Sequence, residues 1–100
     1  MALTDYAFIV FGSDYSSEIP RASIKSDTLT TRIVGVNSIE NAVSAAVELA
    51  DDGVQLIELC GWFGPKGAAR IIEAVGDRIP VGFVGHGPDS IKTMYDLFSS

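Results

Sequence analysis

The sequence predicts an α/β fold: one small domain (1–100) with a mostly parallel four-stranded sheet and about three helices, in the order β-loop-β-α-β-α-β-α. Such a chain resembles part of a βα barrel or a small open sheet. Three observations carry this reading. Apolar, β-branched runs of strand length alternate with stretches of helical periodicity. The strand predicted at 54–60 leads into Gly64-Pro65 and a helix, and that at 81–85 into Gly87-Pro88 and another, so two βα units follow in series. Serial units of this kind imply parallel pairing through right-handed crossovers. Finally, one hundred residues make a single domain.

Taken in order, YAFIVF (6–11) is apolar on both faces of a strand and reads as buried on both sides. Residues 12–28 are polar and rich in Ser, with Gly12 and Pro20, and read as loop with a short extended piece at 21–25. TTRIVGV (30–36) is the second strand. The helix at 37–53 carries Ile39, Val43, Ala46, Val47 and Ala50 at helical spacing. Asn37 or Ser38 can cap it, Asn37 and Glu40 have the spacing of a capping box, and Gly53 ends it. VQLIELC (54–60) is the third strand. The helix at 65–76 opens on Pro65, closes on Gly76 and has an apolar stripe of Ala68, Ile71, Ile72 and Val75. IPVGFVG (79–85) is the fourth strand. The last helix, 88–98, places Ile91, Met94, Tyr95 and Phe98 on one face.

The strands outnumber what three helices can cover. If the crossovers all turn the same way, the helices protect one face only, and the other, with Phe8, Val10 and Val34 available, needs another cover. The expectation is a homo-oligomer, most simply a homodimer. Net charge is −6, and the seven Lys and Arg are scattered. A basic patch for nucleic acid or anionic membrane is therefore not expected. One cysteine allows no intrachain disulfide and fits a reducing compartment. No leader-like segment and no apolar run approaching about 20 residues is present. The expectation is a soluble, cytoplasmic protein.

In sheets of this class ligands gather at the carboxyl ends of the strands. The residues there are Gly12 to Asp14, Asn37, Glu58, the run Cys60 to Lys66, and His86 to Asp89. Glu58 sits in an apolar strand, on the face of Leu56 and Cys60. A buried carboxylate needs a partner or a task. Two readings stand: an ion pair with Arg32 on the second strand, or a general acid or base. Cys60 precedes a glycine turn and a helix, where a thiol can ionise more readily, but a lone cysteine also serves as a small buried residue. His86, the only histidine, ends the fourth strand and is placed to approach Glu58 or Cys60 if strands three and four are neighbours. The spacing of Glu58, Cys60 and His86 matches no metal motif.

GWFGPKG (61–67) is neither a P-loop nor a dinucleotide fingerprint. A glycine turn opening a helix still leaves backbone N–H groups that favour an anion, and Lys66 adds charge. Gly61, Trp62, Phe63, Gly64 and Lys66, with Arg32, are the candidate ligand-binding residues. Trp62 and Phe63 have two readings, pocket lining or packing. The functional expectation is a small, possibly anionic ligand at the strand ends. The alternative is a non-catalytic homo-oligomeric structural or accessory module. The residues alone name no cofactor and do not decide whether the protein is an enzyme.

Four pieces of the chain resemble a family of short proteins of unknown function, domain of unknown function 6506. They are MALTDYAFIVF, VGVNSIENAVSAAVELADDGVQLIELCGWFG, GAARIIEAVGDRIPVGFV and the Arg21-Ala22 step. Together they cover most of 1–84. In that family the characteristic segment resembles IELCG-x-FG, so Glu58, Cys60, Gly61, Phe63 and Gly64 match, with Trp62 at the variable place. The resemblance implies no activity.

Overall fold

Strand β1 (Asp5–Phe11) is hydrogen-bonded in parallel on both sides, to β3 (Thr30–Val36) and to β4 (Leu56–Leu59). Its backbone is paired on both sides, but only Ala7 and Ile9 are buried; Tyr6, Phe8 and Val10 on the opposite face are half-buried, so the expected burial of this strand on both faces is met on one face only. In the computed structural model, which describes residues 2–16, 18 and 20–99, β2 (Arg21–Lys25) and β5 (Val81–Phe83) form the edges. The order is β2-β3-β1-β4-β5, with β2 antiparallel to β3 and the other pairs parallel.

The sheet thus has five strands where four are expected. The extra one is the extended piece at 21–25, whose five residues are all exposed. An edge strand draws its order from one ladder of backbone hydrogen bonds and buries little, so it carries no apolar signature.

Helices α1 (Ile39–Asp51) and α2 (Gly64–Val75) connect β3 to β4 and β4 to β5. Both connections advance in the same direction across the sheet, and both helices lie on one face. There Ala7, Ile9, Val34, Val36, Ile57 and Leu59 of the sheet meet the helices and are essentially inaccessible. Each of the Val, Ile and Leu side chains among them contributes about 1.5–3 kcal/mol through burial. Val34 belongs to this core and not to the far face.

The buried stripe of α1 is Ala42, Ala45, Ala46 and Leu49, rotated from the expected Ile39, Val43, Ala46, Val47 and Ala50. Alanines let the helix axis approach the sheet, while the bulkier Val43 packs at the margin of the core and Val47 is half-buried. Ser38 caps α1, its Oγ accepting from Asn41 N–H at 3.0 Å. Asn37 instead accepts from the Asn41 side chain at 2.7 Å, so the Asn37–Glu40 box is not the cap. In α2 the buried residues are Gly67, Ala68, Ile71 and Val75, while Ile72 is exposed.

The last helix, α3 (Ile91–Ser99), follows a 3-10 turn at Pro88–Ser90. It packs on neither sheet face. Met94 alone among its described residues is half-buried. Strand alternation therefore leaves a second face of the sheet without a helix: Tyr6, Phe8 and Val10 of β1 point there, beside Ile33 of β3 and Leu56 and Glu58 of β4.

Candidate functional site

Parallel strands end at a common edge, and the backbone ladder carries their successors to it. Gly12 N–H donates to Val36 O at 2.9 Å, Cys60 N–H to Ile9 O at 3.0 Å and Val84 N–H to Leu59 O at 2.9 Å. After β4 the chain turns sharply: Phe63 N–H returns to Cys60 O at 3.2 Å, and Gly64 takes φ +59, a left-handed conformation that glycine adopts without strain. The turn sends its two aromatics in different directions. Phe63 goes into the core at 5% exposure, and Trp62 stays out at 49%.

Trp62 lies flat on Phe11, the last residue of β1, with ring centroids 3.6 Å apart and planes 3° from parallel. Phe63 meets its edge at 5.1 Å and 83°. This aromatic pair floors a cleft of about 620 Å³. Cys60, Gly61 and His86 border it on the strand side, and Met94 and Phe98 of α3 face it from the other. Cys60 Sγ accepts from Phe11 N–H at 3.3 Å, which ties the thiol to the β1 backbone. His86 lies against Gly61: a Cβ at that position would stand 3.0 Å from the imidazole Cε1, so the absent side chain makes room for the ring.

Trp62 also borders a second, shallower depression of about 420 Å³, over Ile39, Phe63 and Gly67, with Lys66 and Arg70 on its sides. Phe63, at the N-cap of α2, provides no side-chain cap, so the first amides of that helix gain no side-chain partner there.

The other expected site residues lie elsewhere. Glu58 faces the helix-free side of the sheet, where Tyr6 Oη donates to its Oε1 at 2.7 Å. Arg32 points to the opposite side, in register with Ala7, and donates twice to Asp5, at 3.0 and 2.7 Å. The expected Glu58–Arg32 pair is therefore replaced by Glu58–Tyr6 and Arg32–Asp5: the two residues project from opposite faces of one sheet. Phe63 is a core residue and not a lining of the main cleft. Cys60 and His86 do share the cleft; Glu58 is not among the residues that border it. Phe11 and Arg70 were not singled out from the sequence, and Met94 and Phe98 only as part of the apolar face of the last helix. The only signals were the terminal position of Phe11 in its strand and the four-residue spacings Met94–Phe98 and Lys66–Arg70, each placing its pair on one helix face.

Burial, and then the hydrogen bond to Glu58 and its charge, push the Tyr6 hydroxyl up to about 12. The neutral phenol is thus favoured in the folded chain. That contribution to stability is complete below the ordinary tyrosine value of about 10 and is lost as pH rises through about 12. In an ultraviolet absorbance titration, one of the three tyrosines is expected to ionise last, near pH 12. Tyr6→Phe should remove that late step. Its persistence in the variant would assign it to another tyrosine.

Among the described residues no group of three or more His, Cys, Asp or Glu is placed to hold a metal ion. Nor, among them, is any helix long and apolar enough to cross a membrane. The model of a family of unknown function, DUF6506, matches the chain over residues 4–99. The chain belongs to the DUF6506 family. Among curated proteins none matches it. The DUF6506 match extends beyond residue 84, so the His86 loop and the whole of α3 fall within the family region. Every wall of the cleft is thus built from family sequence.

Proposed function

We propose that the protein binds a small molecule with a flat apolar body and an anionic end at the carboxyl edge of its sheet. The body lies against Trp62 in the main cleft, and the anion points across the indole toward Lys66 and Arg70. The observation that carries this reading is Trp62 itself: a half-exposed indole, stacked on Phe11, borders both depressions. A volume of about 620 Å³ lies within the roughly 300–1,000 Å³ range of small-molecule sites. Two cations beside an uncapped helix N-terminus favour a carboxylate or phosphate, in a chain whose net charge is −6. Cys60 and His86 border the cleft and are the residues to test for any chemistry performed on the ligand. In this reading the protein works in the cytoplasm, where its single thiol stays reduced.

Trp62 is the only tryptophan, so its fluorescence reports on the cleft without background. Phenylacetate or phenyl phosphate is expected to change that emission saturably, and the uncharged phenylacetamide to do so more weakly. The double variant K66E/R70E should weaken binding of the anions about tenfold or more, with little effect on the amide. Equal responses to anion and amide, or an unchanged affinity in the double variant, would remove the anionic end from the proposal. Absence of any saturable response would remove the ligand site. The alternative, a non-catalytic homo-oligomeric structural or accessory module, is favoured by the helix-free sheet face.

A further inference from the structure

A sheet face left without helices is ordinarily polar, because alternation then sorts polar residues outward. This one is not. The strand register places Phe8 and Val10 of the central strand on it, flanked by Ile33 on β3, Ile24 on β2 and Leu56 on β4. Glu58 is the one charged residue that the register assigns to this face; it lies on β4, in register with Phe8, and accepts from Tyr6. Arg21, Lys25, Arg32 and Asp5 all alternate to the helix side. No described helix of the chain covers the face: α1 and α2 occupy the opposite side, and α3 stands at the strand ends. Tyr15 and Pro20 lie against Gly35 at one end of the face and border a shallow depression there with Val10, Ala22 and Ile33.

We propose that this face is the docking surface for a second copy of the chain, which packs on it sheet against sheet about a two-fold axis. Area, charge and symmetry each point to that occupant. The five strands, of seven, five, seven, four and three residues, present a face of roughly 400 Å² at about 3.3 Å per residue and about 4.8 Å between strands. Two such faces in contact cover roughly 800 Å², and side-chain relief brings this toward the lower bound of a specific interface, about 1,000 Å². Two copies of a chain with net charge −6 repel each other in most orientations. Here they approach through a surface with a single charged residue per copy, Glu58, which stands beside Phe8 of the central strand and keeps its Tyr6 donor. An isologous contact also covers both apolar faces at once, in the aligned geometry of stacked sheets. The inference uses the face of the sheet and not its edge, so it stands or falls separately from the ligand cleft.

Size-exclusion chromatography with light scattering tests it. The wild-type chain is expected at about 21 kDa, twice the 10.6 kDa of one copy. Ile33→Glu should give a monomer with an unchanged far-ultraviolet circular dichroism spectrum. If that variant fails to fold, Ile24→Lys decides: Ile24 is 63% exposed, so folding does not depend on it, yet the dimer should weaken at least tenfold. Ile72→Glu, on the outer surface of α2, should leave the dimer intact. A wild-type monomer at roughly 100 µM, far above the Kd of a specific interface, overturns the proposal. So does a dimer that survives the face variants, or one that Ile72→Glu dissociates.

Discussion

Replacing Phe63 by alanine is expected to destabilise the protein by about 3–5 kcal/mol. At about 4–8 °C per kcal/mol for a domain of this size, the melting temperature should fall by at least about 12 °C. Phe63 is where the strand-end turn is fastened to the core. Its ring is 5% exposed and touches the edge of Trp62, and its Cβ lies so close to α2 that a Cβ added at Gly67 would come within 2.9 Å of it. So tight a contact with a glycine leaves little room for the surroundings to collapse into the space an alanine would leave. The result should be a cavity together with a loosened turn, so Trp62 emission should shift in the folded variant as well. Thermal and denaturant unfolding measure the loss, and a change below about 1 kcal/mol would mean that the turn is held by other contacts. Trp62→Ala makes the opposite comparison. At 49% exposure the indole contributes much less to folding, and its loss should fall mainly on the ligand.

The second large effect contrasts two neighbours. Ile57→Ala should cost about 2–5 kcal/mol, because Ile57 has no accessible surface and packs in the helix-covered core. Glu58→Gln, one residue along the same strand, should change stability by no more than about 0.5 kcal/mol, because Glu58 is exposed and glutamine still accepts the Tyr6 hydrogen bond. The same substitution removes the negative charge beside Tyr6, so the last tyrosine should ionise at lower pH than in the wild type. Chemical denaturation of the two variants, with the absorbance titration of the second, checks both statements. A loss above about 2 kcal/mol for Glu58→Gln would show that the Glu58–Tyr6 pair is a structural requirement.

Much of this architecture is legible in local patterns. The apolar run of β1, the β-branched run of β3 and the Gly-Pro starts after the strands each specify an element through short-range physics, and those elements alone imply parallel pairing with crossovers. The location of the cleft follows, since parallel strands end together. The edge strand β2 left almost no trace, because five exposed residues that gain backbone pairing from β3 need no apolar pattern. The stripe of α1 was misplaced for a related reason: hydrophobic spacing favours Val43 and Val47, but close packing selects the alanine face.

The fate of the charged residues was settled by tertiary structure alone. Glu58 and Arg32 look like partners when strands are read as strings, since both interrupt apolar runs. Pairing β1 between β3 and β4 in register turns them to opposite faces, and each then finds a donor or acceptor on β1, Tyr6 for one and Asp5 for the other. Likewise the turn IELCGWFG announces a corner, but which aromatic enters the core and which faces the cleft depends on the left-handed step at Gly64 and on where α2 settles. By itself the sequence determined the elements, their order and the edge of the sheet where a site belongs, because those rest on local periodicity and on one-dimensional turn chemistry. Only the tertiary structure decided which side chains meet there, because a side chain's face and neighbours are set by strand register and helix packing across residues far apart in the chain.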